Sequence, residues 1–102
     1  MKFPRADIDI DAVKSLSEKF KIKELSLFGS ILREDFNEKS DIDILVEFLP
    51  ETDYSLFDVF DIKEEFSKKL GRKVDIVEKQ GLRNPYRKKR ILETARKIYE
   101  SV

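Results

Sequence analysis

Between Asp41 and Phe48 the chain reads Asp-Ile-Asp-Ile-Leu-Val-Glu-Phe, and Pro50 closes the run. A stretch this rich in branched and aromatic side chains forms a strand that must be covered on at least one face. Two further runs resemble it. Lys23–Phe28 alternates Leu25 and Leu27 with Glu24 and Ser26, which predicts a strand with one buried face, and it halts at Gly29-Ser30, where a short helix can begin. Lys73–Val77 sets Val74, Ile76 and Val77 around Asp75. Helical stretches separate the runs. Ala12–Phe20, capped by Asp9 or Asp11, carries Val13, Leu16 and Phe20 on one face. Tyr54–Leu70, capped by Asp53, carries Leu56, Val59, Phe60, Phe66 and Leu70, and Gly71 stands where a C-terminal glycine belongs. The trio Phe57, Phe60 and Phe66 reads as core. A last helix is expected from about Pro85 to Glu100, with Tyr86, Ile91, Leu92, Ala95, Ile98 and Tyr99 as its stripe. Residues 1–9 read as an irregular lead-in, and residues 34–40 as a polar loop. The order α-β-(α)-β-α-β-α predicts an α/β chain, a small sheet with helices packed on it. Strand order and direction do not follow from the pattern.

No repeat or low-complexity segment interrupts this order, and 102 residues suffice for one compact domain, expected to span 1–102. Charged side chains are 41% of the chain against roughly 25% in average domains, so the surface is densely ionic. Net charge is zero, yet unevenly spread: residues 1–50 hold 8 basic and 11 acidic groups, residues 82–102 hold 7 and 2. A pI near 6.4 gives no reason to expect direct nucleic-acid binding. Neither Cys nor His occurs. Their absence excludes disulfides, thiolate zinc sites, His-ligated metals and nucleophiles activated by His. Any metal here is a hard cation on oxygen ligands. No apolar run reaches membrane-spanning length and no leader pattern opens the chain, so a cytoplasmic protein without membrane contact is expected.

Asp41 and Asp43 are the first candidates for chemistry. In a strand, residues i and i+2 share a face, so the two carboxylates project side by side with Ile42 and Ile44 opposite. Adjacent like charges raise each other's proton affinity, and a divalent cation between them removes that cost. Magnesium suits such a site, taking one or two carboxylates, water and substrate phosphates. The bland alternative is a solvated strand start. Asp75 shifts the balance, because a charge among Val74, Ile76 and Val77 is costly unless it is paired or coordinated. If the third strand neighbours the second, Asp75 joins the pair. Three carboxylates support two magnesium ions at the roughly 3.5–4 Å separation of two-metal phosphoryl transfer. Otherwise Asp75 is an exposed edge-strand residue.

Gly29-Ser30 follows a strand, where glycine permits close backbone approach and free amides bind phosphate. A plain turn explains the dipeptide equally well. Arg33 either neutralises phosphate or pairs with Glu34 or Asp35. The basic run Arg83, Arg87, Lys88, Lys89, Arg90, Arg96 and Lys97 reads as a solvated helix face, with an acidic partner protein or RNA as the functional alternatives. Neither a P-loop nor a dinucleotide-binding glycine pattern occurs.

Taken together, Leu27-Phe28-Gly29-Ser30, ten residues and then Asp41-Ile42-Asp43 resemble the signature of the polymerase-beta-like nucleotidyltransferase superfamily. The chain looks most like the minimal nucleotidyltransferases of bacteria and archaea. The likeness extends through Ser40–Val46, Gly71–Val77 and the closing Arg90-Ile91-Leu92-Glu93-x-Ala95. It implies a short mixed sheet of three to four strands flanked by about four helices, the α+β fold of that superfamily. It implies that Gly29 and Ser30 hold the triphosphate of ATP, that Asp41 and Asp43 ligate magnesium, and that Asp75 completes the site beside the acceptor hydroxyl. It also implies a partner, a small helical HEPN RNase toxin, neutralised by AMP transferred to a tyrosine. Masking of the toxin by contact alone is one alternative, and transfer to RNA or a small molecule is another. The chain departs from many relatives at Ile31 and Glu34, where a small or basic residue and a glycine are common.

Overall fold

The computed structural model describes residues 1–101. Its centre is a four-stranded sheet in the order β5-β4-β3-β6, formed by β3 (Ile22–Phe28), β4 (Ile42–Phe48), β5 (Val74–Glu78) and β6 (Arg96–Glu100). β3 runs antiparallel to both β4 and β6, and β5 runs parallel to β4, so the sheet is mixed. The lead-in is not irregular throughout: β1 (Lys2–Phe3) and β2 (Ala6–Asp7) pair with each other, and Phe3 is buried in the core.

Three α-helices surround the sheet: α1 (Ile10–Lys19), α2 (Leu56–Leu70) and α3 (Pro85–Thr94). Single 3₁₀ turns at Gly29–Leu32 and Lys79–Gly81 complete the elements. The helix starts are set by side chains that satisfy free amides. Asp9 accepts the N–H of Ala12 at 3.1 Å and is the cap of α1. α2 begins two residues later than the Asp53 cap predicts. Ser55 and Asp58 form a reciprocal capping box there, which satisfies two amides at once where Asp53 would satisfy one. Asn84 accepts from Tyr86 and Arg87, and Pro85 fits the first position of α3. Gly71 ends α2 in the left-handed conformation at φ 69°.

The largest departure from expectation lies at the C-terminus. The last helix stops at Thr94, and Arg96–Glu100 crosses to the open side of β3 as a fourth strand, with Leu25 opposite Tyr99. Ile98 and Tyr99 suit a strand as well as a helix stripe, and pairing with β3 supplies a backbone ladder that a local pattern cannot reveal.

Alternation divides the sheet into two faces. Leu25, Leu27, Ile42, Ile44, Val46 and Val74 face α1 and α2, where Val13, Leu16, Ile62 and Phe66 close the main core. Phe28 and Leu45 point the other way and meet Leu82 and Ile91 beneath α3. This second cluster is small. It leaves the polar residues of the same face at its margins: Asp43 at one end, and Glu24 and Glu47 at the other, bridged by Lys79 and Lys97. Three aromatic assignments change, one of them Tyr86 of the last helix's stripe, which is exposed. Phe66 is core, but Phe57 and Phe60 are exposed.

Candidate functional site

The parallel pairing of β4 and β5 sets Asp43 directly opposite Asp75. Register is fixed by the apolar residues on either side: Ile42 opposite Val74 and Ile44 opposite Ile76 keep their hydrocarbon in the main core, so the carboxylates must share the other face. Asp41 stands just before β4, where the N–H of Ile42 donates to the carbonyl of Lys73 at 2.9 Å. The third strand thus neighbours the second, and all three carboxylates gather at one end of the sheet.

Their mutual influence is readable at Asp43. Partial burial, then the negative charge of Asp75, then that of Asp41, raise its proton affinity above the ordinary carboxylate range; Arg33 and Arg87 oppose the shift. Each flanking carboxylate is turned to a lysine, Asp41 to Lys73 at 3.8 Å and Asp75 to Lys63 at 3.3 Å. In these orientations no three carboxylates among the described residues converge on one point that could hold a metal ion.

Gly29 is tied to the same carboxylate. Its φ of 75° is one that side chains rarely adopt, and a Cβ placed there would collide with Oδ2 of Asp43. The glycine and the carboxylate motif, separated in sequence, are in van der Waals contact in the fold. Ser30 follows at the start of the 3₁₀ turn, half-buried, and its carbonyl accepts the N–H of Arg33 at 2.9 Å. Ile31 is completely buried, so this departure from the family pattern is a core residue. Arg33 itself reaches Asp35 at 3.0 Å and stays exposed beside Gly29.

A cleft of about 470 Å³ opens between this turn and α3, lined by Phe28, Gly29, Leu32, Arg33, Arg90, Ile91 and Thr94. Arg90 and Arg87 were legible in the sequence only as members of a basic run. The packing of Ile91 on Phe28 is what carries them over the carboxylate end of the sheet. Arg72 has a supporting part: it stacks 4.4 Å from the ring centre of Phe36 and donates to the carbonyls of Asn37 and Ser40, bracing the loop that delivers Asp41. Seen whole, the arrangement is three carboxylates beside a glycine turn, with arginines on two sides. It matches the charge pattern of a polyphosphate bound through a divalent cation.

Residues 5–98 match the nucleotidyltransferase domain family. A chain of Methanocaldococcus jannaschii, provisionally named a protein adenylyltransferase, is 50% identical over 80 residues, covering 78% of this chain and 80% of its own length. The protein adenylyltransferase MntA of Thermococcus cleftensis is 39% identical over 71 residues, 70% of each chain. A solved structure provisionally described as a minimal nucleotidyltransferase superposes with a TM-score of 0.70 at 33% identity, covering 85% of this chain and 86% of its own. A toxin–antitoxin crystal structure with AMP-PNP superposes with a TM-score of 0.76 over 92% of this chain and 75% of its own; at 17% identity it supports the fold alone. On the match across residues 5–98 and these identities, the chain belongs to the nucleotidyltransferase domain family.

Proposed function

We propose that this chain is an antitoxin that transfers AMP from ATP to a hydroxyl, a tyrosine in the family pattern, of a cognate HEPN toxin. The observation that carries the reading is Asp43, caught between Asp41 and Asp75 and pressed against Gly29. Protein adenylyltransferase names among the relatives support AMP as the group transferred. An adenylyltransferase needs an adenine nucleotide as donor, and ATP fits that need; one neighbour in fold was solved with AMP-PNP, and another is an MntA–HepT toxin–antitoxin complex.

The residues fit magnesium. Asp43 resists its charge because it is partly buried and because Asp75 and Asp41 stand beside it, and a divalent cation would relieve that resistance. Asp41, Asp43 and Asp75 would hold the ions, which supply positive charge to the phosphates and acidify the acceptor hydroxyl. The protein's own contribution is positional and electrostatic. Gly29 lets the phosphates approach the backbone, the Ser30 hydroxyl donates to them, and Arg33 offsets their charge. The acceptor oxygen attacks the α-phosphorus, the bond from that phosphorus to the bridging oxygen breaks, and pyrophosphate leaves. The hydroxyl proton passes to the Asp75 carboxylate, the edge-strand member of the three.

The family resemblance implies a HEPN protein encoded beside this chain, and the test mixes the two, with and without ATP and magnesium. A mass increase of one or more AMP groups on that partner, together with loss of its RNase activity, is the expected result. Neutralisation that needs no ATP would replace this reading with masking by contact.

A further inference from the structure

The long helix α2 carries a face that the fold does not use. Ile62 and Phe66 are completely buried, whereas Leu56, Phe57 and Phe60 are 87%, 84% and 60% exposed. Contiguous apolar side chains of this size on a capped helix mark a contact surface. Their position gives the contact a direction. Leu56, Phe60, Lys63 and Ser67 follow one helical stripe. The far end of that stripe is seated on β5: Ser67 accepts the N–H of Val74 at 3.1 Å, and Lys63 lies 3.3 Å from Asp75. The stripe therefore runs from the third carboxylate of the site outward onto the apolar patch. β5 is an edge of the sheet, and beyond Val74, whose N–H Ser67 takes, its outer side has no strand partner. The patch is rimmed by exposed acids: Asp53, Asp58, Asp61 and Glu64.

We propose that Leu56, Phe57 and Phe60, with the open edge of β5, form the docking surface for the protein that receives AMP, and that this partner presents an apolar anchor flanked by basic side chains. The proposal rests on the protein-acceptor reading above. Continuity is the first argument, since Lys63, one turn along α2 from Phe60, reaches Asp75 around the β5 edge, while the arginine-lined cleft on the Gly29 side stays open for a nucleotide. Size is the second. Two phenylalanines and a leucine bury roughly 400 Å², about half of one partner's share in a standard interface and the share expected of its apolar centre. Charge is the third. An acidic rim is complementary to a basic partner, whereas two copies of this chain joined symmetrically would set the same acids against each other.

The experiment uses the full chain, the full protein encoded beside it, and the triple variant Leu56→Ser, Phe57→Ser, Phe60→Ser. Calorimetry is expected to show partner binding weakened by about 100-fold. The KM for the partner should rise by a similar factor, with the KM for ATP and the melting temperature unchanged. An unchanged Kd overturns the proposal. So does gel filtration in which the parent chain is a dimer and the triple variant a monomer, since the face then belongs to a second copy. If the parent chain binds the partner but transfers no AMP, the catalytic reading fails while the Kd comparison still decides the surface.

Discussion

Each residue of the site is held by a feature that can be removed singly. Asp43 is raised in proton affinity by burial, Asp75 and Asp41. A carboxylate raised in the folded state binds more protons folded than unfolded, so its stabilising contribution is present at low pH and lost as pH climbs through its folded pKa. Asp43→Asn should therefore raise the melting temperature at pH 7, with the gain shrinking as pH falls through the raised folded pKa and gone below about pH 4, where the unfolded carboxylate is protonated too. Thermal melts across that range check the sign. Gly29→Ala acts oppositely. It adds a Cβ at a φ of 75° and drives it into the Asp43 carboxylate. A loss of about 1–3 kcal/mol in denaturant unfolding is expected, together with loss of transfer. The two motifs themselves were plain in the sequence. Their contact was not, because nothing local states that the turn after β3 folds back onto β4.

Among the elements, serines mark where local rules help and where they do not. Ser55 caps α2 by accepting the N–H of Asp58, and its own N–H and hydroxyl donate to the Asp58 carboxylate, which those bonds hold below the usual range. Ser55→Ala should cost about 1 kcal/mol of unfolding free energy. Asp58's part is present at neutral pH and disappears as pH falls through its lowered pKa. Ser17 is buried in α1, and its hydroxyl has no hydrogen-bond partner. Ser17→Ala should raise stability by about 1 kcal/mol, the cost of an unsatisfied polar group, in the same unfolding measurement. Apolar alternation and helix stripes made β3, β4, β5 and the first two helices legible to within a few residues. The fourth strand was not, since Ile98 and Tyr99 fit a helix stripe until β3 offers them a ladder. Phe57 and Phe60 misled for a related reason. A stripe records which residues are apolar, not whether the chain itself covers them.

At the scale of the molecule, the sheet divides the labour. Its α1–α2 face supplies the main core, its α3 face supplies the arginine cleft, and the β4–β5 end supplies the carboxylates. The basic side chains of α3 are solvent-exposed, as the sequence predicts, and its tertiary placement also brings Arg87 and Arg90 near the site. Among the described residues no helix is long and apolar enough to cross a membrane. The central claim is that the three-carboxylate end of the sheet transfers AMP to a protein. It is tested most directly with radiolabelled ATP, magnesium, the partner, and either the parent chain or the double variant Asp41→Asn, Asp43→Asn. Label is expected on the partner with the parent chain and none with the variant, while the variant's far-ultraviolet dichroism and partner binding stay intact. Label transferred at the parent rate by the folded double variant would contradict it.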